Sequence, residues 1–149
     1  MIQKLRKRSR SESGFTLVEL LVVMLILGLL AAIAIPSFFN QRDKAKDADA
    51  KAGVRTAQTA IESFATDNGG SYVGATAADL QAIENTLNDV NLQEPSGLAA
   101  DAYTVGVVAN DTLNLFEITR ASNGTVSYTC TVGAPGKQAG CPTGGNWGD

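Results

Sequence analysis

Residues 14–39 read GFTLVELLVVMLILGLLAAIAIPSFF, the most apolar stretch of the chain. Within it the only charged side chain is Glu19, and the only other strongly polar side chains are those of Thr16 and Ser37. A helix of this length, rising about 1.5 Å per residue, can cross a bilayer core of about 30 Å. Because the stretch is apolar on all sides, such a helix must be buried in lipid or in other protein.

Three residues distinguish this stretch from an ordinary membrane anchor. Glu19 lies one turn inside the apolar segment, where an ionised carboxylate lacks water and needs a partner. Gly28 and Pro36 both weaken a helix, Pro36 because it removes an amide donor and crowds a carbonyl of the preceding turn. We therefore expect a helix that is bent or locally unwound between Gly28 and Pro36.

The run GFTLVELL at residues 14–21, after a short basic leader and before a long apolar helix, resembles the N-terminus of a type IV prepilin. The resemblance implies that a prepilin peptidase cuts after Gly14 and methylates the new N-terminus at Phe15. It matches Glu19 to the family's glutamate fifth in the mature chain and Pro36 to its helix-breaking proline. Type II secretion pseudopilins share the signature, which covers about the first third of the chain; beyond Asn40 only the general plan agrees.

Charge predicts how the chain is oriented. Residues 1–14 carry five basic side chains against one acidic, whereas residues 15–149 carry seven basic and fourteen acidic. Basic residues beside an apolar span stay cytoplasmic, so we expect the N-terminus inside and the acidic remainder exported.

Two alternative interpretations of the N-terminal segment are an ordinary secretory signal cut near Ala32-Ile33-Ala34 and an uncleaved signal anchor. The first places Glu19 inside its apolar region, and the second leaves Gly14 and Glu19 unexplained.

The helix is expected to continue to about Asn68. Ala50, Val54, Ala57, Ile61 and Phe64 recur at helical spacing and form a narrow apolar stripe that can pack against a head domain. The sequence Asn68-Gly69-Gly70 is a natural C-terminal stop. A cluster of alternating charges at residues 42–51, with Asp47 and Lys51 placed as a helical ion pair, is interpreted as a solvated face.

The remaining residues predict a small head. Thr76-Ala77-Ala78-Asp79 fits a capping box for one short helix, whose apolar face comprises Leu80, Ile83 and Leu87. Three strands follow, at about residues 103–107, 113–119 and 126–132, the last two joined by the hairpin signal Ser122-Asn123-Gly124. The second strand has a mixed pattern that fits either a bulge or burial on both faces. The antiparallel meander can cover the stripe on the long helix.

The tail from Gly133 carries the second of two cysteines. Cys130 and Cys141 lie close together in the exported part, which predicts a disulfide. Such a bond stabilises the fold by about 3 kcal/mol in the chain-entropy model. A C-terminal disulfide loop in this position also resembles the surface loop of pilins. Trp147 is expected to pack on the head.

Several kinds of chemistry are not indicated. The chain has no histidine, Cys130 lacks a partner that would activate a thiol, and no glycine-rich phosphate loop follows a strand. We predict no enzyme, no cofactor and no metal site, and the tail lacks the aspartates of the calcium site known in major pseudopilins. Asn110 and Asn123 match the N-glycosylation pattern, but both fall on predicted turns, where asparagine is common.

These observations predict an α+β fold of the type IV pilin kind, a long N-terminal helix packed on a small antiparallel sheet. We expect a cleaved leader (1–14), a membrane and filament-core helix (15–40), an amphipathic half-helix (41–68) and a globular head (69–149). The resemblance implies a structural subunit that waits in the cytoplasmic membrane and polymerises into a surface pilus for adhesion, twitching motility or DNA uptake. Its partners would be other copies of itself, the prepilin peptidase, and the assembly platform with its ATPase; nucleic acid stays open. The alternatives are a secretion or competence pseudopilin and a non-polymerising membrane-anchored binding protein.

Overall fold

The computed structural model describes residues 14–148 and divides the chain into two compact units, one ending at Ser37 and one beginning at Phe38. The predicted leader therefore lies outside the described residues, except for Gly14. The helices are α1 (Leu17–Asp67), α2 (Ala77–Ile83) and a short 3-10 helix (Asn85–Asp89). The strands are β1 (Asn91–Leu92), β2 (Tyr103–Val108), β3 (Leu115–Arg120) and β4 (Val126–Thr131).

Helix α1 ends where the sequence predicts. After Asp67, both Gly69 and Gly70 adopt positive φ angles of 66° and 88°, a backbone conformation that glycine reaches without steric cost. The amide of Gly70 donates to the carbonyl of Ala65 at 2.7 Å and thereby satisfies one of the free carbonyls at the helix end. The predicted capping box of α2 is also confirmed, since the Thr76 and Asp79 side chains each accept the other's backbone N–H.

The four strands form one antiparallel sheet in the order β1-β2-β3-β4. Val105 pairs with Ile118 across β2 and β3, and Ile118 pairs with Tyr128 across β3 and β4. The β3–β4 turn contains Gly124 at φ 84°, as the hairpin signal requires. β1 is only two residues long and was not predicted, because a strand this short carries no periodicity.

The core lies between the sheet and the second half of α1. The predicted stripe on α1 is confirmed: Ala50, Val54, Ala57 and Ile61 are buried, and Phe64 packs against them at the margin. They share one apolar cluster with residues of β2, β3 and β4. The expected α+β architecture, a long N-terminal helix packed on a small antiparallel sheet, is therefore confirmed.

Two details of the head differ from expectation. The second predicted strand begins at Leu115, because Leu113 adopts a positive φ of 59° in the preceding turn and is exposed. Phe116 and Ile118 face the core, so neither a bulge nor burial on both faces is needed. In the helical connection Leu80 and Leu87 are buried, whereas Ile83 is 43% exposed and does not join the core.

Candidate functional site

The predicted cleavage bond lies just before α1. Gly14, Phe15 and Thr16 are not helical, and the helix begins at Leu17. The Phe15 side chain is 80% exposed. The bond between Gly14 and Phe15 therefore lies in exposed, non-helical backbone.

Thr16 and Glu19 form a capping box at the start of α1. The amide nitrogen of Thr16 donates to Oε2 of Glu19 at 3.0 Å, and the Thr16 hydroxyl donates to the same oxygen at 3.0 Å. In return the amide nitrogen of Glu19 donates to Oγ1 of Thr16 at 3.2 Å. These reciprocal bonds satisfy two of the free amides at a helix N-terminus.

The capping box gives the Glu19 carboxylate hydrogen-bond partners within its own chain. Its Oε2 atom accepts both bonds from Thr16, while Oε1 makes no hydrogen bond within residues 14–148. An ionised carboxylate has lone pairs on both oxygens, so the second oxygen can still accept a donor from another chain. The sequence analysis did not predict that Thr16 caps the helix. The signal was present, since Thr-x-x-Glu before an apolar run is a capping-box pattern.

The first unit exposes its apolar side chains on every side. From Leu17 to Phe39 no residue of α1 is buried in the single chain. Within residues 14–148, α1 is the one helix that is long and apolar enough to cross a membrane, judged by length and composition, with a mean hydropathy of 2.9 in its most apolar window. This surface needs lipid or other protein around it.

Gly28 and Pro36 lie inside α1, which is helical through both positions. The local unwinding that the sequence allows there is therefore absent from the single chain. Loss of one backbone hydrogen bond at a proline leaves the bonds on either side in place, so a helix can continue through it. Loss of helix between Gly28 and Pro36 on assembly stays a prediction.

The structure joins Cys130 and Cys141 in a disulfide, the pair that the sequence predicts. The bond ties the tail to β4, and the tail is also bound to α1. Nζ of Lys137 lies 2.7 Å from a carboxylate oxygen of Asp43, and Nζ of Lys51 donates to the carbonyl of Gly140 at 2.7 Å. The disulfide loop is thus attached at both its strand and its helix side.

Asp47 is fully buried at the centre of these contacts. Its carboxylate accepts hydrogen bonds from the Thr112 hydroxyl, from Nδ2 of Asn114 at 2.8 Å and from the amide of Gly140 at 2.7 Å. The interpretation of residues 42–51 as a solvated face is therefore wrong at Asp47, and Lys51 bonds to Gly140 in place of the expected ion pair. Sequence could not show this, because the donors lie 65 to 93 residues away.

Trp147 packs on the head as expected. It is 7% exposed, and its ring meets those of Phe116 and Tyr128 edge to face. Its Nε1 donates to the carbonyl of Thr129 at 2.8 Å, so the polar atom of the indole is satisfied. Arg55 lies over the same ring at 5.3 Å. The tail is thereby bound along β4.

The two glycosylation patterns differ in accessibility. In the first, which begins at Asn110, the hydroxyl of Thr112 is buried and bonded to Asp47. In the second, Asn123 and Thr125 are exposed at the tip of the β3–β4 hairpin. Among residues 14–148 no group of three or more histidine, cysteine or acidic side chains is placed to hold a metal.

Comparisons with known proteins identify the superfamily of this chain. A family model described as the prokaryotic N-terminal methylation motif matches residues 9–35. The chain is 31% identical to the type IV major fimbrial protein FimA of Dichelobacter nodosus over 107 residues, 70% of this chain and 69% of that protein. It is 33% identical to the type IV narrow pilus major component PilA5 of Thermus thermophilus over 106 residues, 62% of this chain and 84% of that protein. The chain belongs to the type IV pilin and pseudopilin superfamily.

The relatives of this chain include both pilus subunits and proteins of the type II secretion system. The type II secretion system core protein G of Vibrio cholerae is 28% identical over 145 residues, 95% of each chain. Two other relatives are matched over less than half of their length, 42% and 23%. No solved structure matches the chain significantly. The superfamily is therefore shown, and the choice between pilus and pseudopilus is a matter for proposal.

Proposed function

We propose that this chain is the structural subunit of a type IV pilus. It enters the cytoplasmic membrane as a prepilin with its N-terminus inside, is cleaved after Gly14 and N-methylated at Phe15, and polymerises into a surface filament for adhesion, motility or DNA uptake. Its partners are further copies of itself, the prepilin peptidase, and the assembly platform with its ATPase. The single observation that carries the proposal is the first half of α1, which is exposed and apolar all round in the single chain.

Burial of this surface, whether in lipid or between copies, is strongly favourable relative to water. Each apolar side chain removed from water contributes about 1.5–3 kcal/mol, and the segment offers many of them. Lipid satisfies the same surface before assembly, so a further interaction must select the filament. Glu19 supplies it in our proposal, because its free oxygen can accept the N-terminal amine of a neighbouring Phe15.

Cleavage creates that amine. A new α-amine has a pKa of about 8 and is charged at neutral pH, whereas the uncleaved chain has only an amide there. A pair between Glu19 and a neighbour's Phe15 amine neutralises two buried charges and sets the axial register between subunits. Buried pairs give specificity more reliably than stability, and register selection is the role we assign to this one.

A second candidate is supported by the match over 95% of both chains to a type II secretion system core protein G. In that case the same helix contacts would build a short pseudopilus. Electron microscopy with antibody labelling, on cells with and without the gene, tests the leading proposal. Long labelled filaments that vanish with the gene support a pilus, whereas loss of protein secretion without loss of filaments supports the pseudopilus.

A further inference from the structure

A groove of about 280 Å³ opens between the second half of α1 and the segment that leads into β1. Its floor includes the apolar side chains of Ala50, Val90 and Val107. Asp49 on α1 and Asp89 at the end of the 3-10 helix also line it, together with Lys46. An apolar floor with acidic walls suits a side chain that has an aliphatic stem and a positive end.

The acidic groups of the groove are not used within the chain. Asp49 and Asp89 are exposed, and neither carboxylate accepts a hydrogen bond or forms an ion pair with any residue between 14 and 148. Lys46 is likewise unpaired in this part of the chain, and it offsets only one of the two carboxylates. The groove therefore carries a net negative charge and favours a cation from outside.

We propose that the groove receives the Lys44 side chain of a second copy of this chain. This inference rests on the proposed function, since it requires copies to be packed side by side. Lys44 is exposed and makes no ion pair within the described residues. Its four-carbon stem would lie on the apolar floor while its ammonium group meets Asp89 and Asp49.

The position of Lys44 on α1 suits a contact that propagates. At about 100° per residue, Lys44 lies roughly 140° from Asp49 and 200° from Lys46 around the helix, so it projects from the side opposite the groove. Each copy thus offers a cation on one side and an acidic groove on the other. Such head-to-tail contacts between different patches generate helical filaments, whereas a self-complementary patch stops at a dimer.

The test uses charge reversal in the full chain, with sheared-filament yield as the measurement. Asp89→Lys and Lys44→Glu should each lower the yield by about tenfold or more, because like charges then meet at every subunit contact. The double variant Asp89→Lys/Lys44→Glu restores opposite charges and should recover most of the yield. Asp67→Lys is the matched control, since Asp67 is exposed and unpaired within residues 14–148 but does not line the groove.

Cysteine cross-linking gives a second measurement. The two native cysteines are paired with each other, so a short bifunctional thiol cross-linker should convert filaments of Lys44→Cys/Asp89→Cys into a ladder of multimers and leave those of Lys44→Cys/Asp67→Cys without one. A linker is needed because a lysine–aspartate contact holds the two Cα atoms farther apart than a direct disulfide allows. Wild-type filament yield from Asp89→Lys, or a ladder missing from the first pair, overturns this contact and leaves the proposed function intact. If the unaltered chain forms no filament at all, the proposed function fails and this contact fails with it.

Discussion

The carboxylate of Asp47 in α1 accepts a hydrogen bond from the backbone amide of Gly140, at 2.7 Å and 93 residues further along the chain. Gly140 can come this close because it has no side chain: a Cβ atom there would lie 2.8 Å from Cβ of Asp47. The contact joins the disulfide loop to the helix on which the whole head is packed.

Removal of the Asp47 carboxylate should therefore destabilise the head. In Asp47→Ala the Thr112 hydroxyl, the Asn114 amide and the Gly140 amide lose their acceptor in a buried site, and we expect a loss of about 3 kcal/mol or more in the free energy of unfolding. Chemical denaturation of a fragment that begins at Gln41 measures it. Asp49→Ala, two residues away and exposed, is the control and should change stability by less than about 0.5 kcal/mol.

The disulfide should stabilise the head and leave processing of the leader unchanged. Cys141→Ser removes a cross-link that limits the unfolded chain, so the same fragment should lose about 3 kcal/mol and melt at a lower temperature. Reduction of the unaltered fragment should reproduce this effect and leave Cys141→Ser unchanged. Two free thiols in an Ellman titration of the exported protein would refute the prediction.

The mature chain should begin at Phe15. The bond after Gly14 lies between the basic leader and the apolar helix. In the proposed orientation we expect it at the cytoplasmic face of the membrane, where signal peptidase does not act. Mass spectrometry of the mature protein should show a chain that starts at a methylated Phe15. A chain that starts at Ile35 would favour an ordinary secretory signal, and an intact leader would contradict the proposed processing.

Glu19 and Thr16 should affect assembly to different degrees. Glu19→Val removes the acceptor for a neighbour's amine, so we expect insertion and cleavage near normal but filament yield lowered by about tenfold or more. Thr16→Ala keeps the carboxylate and removes the N-cap, which costs the helix start about 0.5–2 kcal/mol, and should reduce the yield less. The measurement is the yield of sheared filaments beside the membrane pool of cleaved subunit. Equal filament yields from the unaltered chain, Glu19→Val and Thr16→Ala would show that the carboxylate is incidental.

The head should lose stability in strong alkali through Tyr103. Burial and the hydrogen bond to Glu62 raise the pKa of the Tyr103 hydroxyl, and the same causes raise the pKa of Tyr72. A raised folded pKa adds stability that is fully present below the unfolded tyrosine value of about 10 and is lost as the pH rises from there toward the folded pKa. The melting temperature of the head should therefore fall as the pH rises above about 10, and it should fall less steeply in Tyr103→Phe.

The long helix and the type of head could be predicted from the sequence alone. The apolar run at residues 14–39, the stripe from Ala50 to Ile61 and the Asn-Gly turns are local patterns, and each follows from helix or strand periodicity and from glycine's freedom at positive φ. The superfamily signature is local for the same reason, since one short segment at the helix start carries it. These patterns need no knowledge of what the distant chain contributes.

Which polar residues are buried depends on contacts between distant segments and could not be predicted from the sequence. Asp47 and Asp49 look alike in a helical charge cluster, yet one is buried under the tail and the other is exposed. The difference depends on where Thr112, Asn114 and Gly140 come to lie, and hydrogen bonds between residues so far apart leave no periodic trace in the sequence. The groove beside Asp49 arises in the same way, from three separate segments brought together by packing.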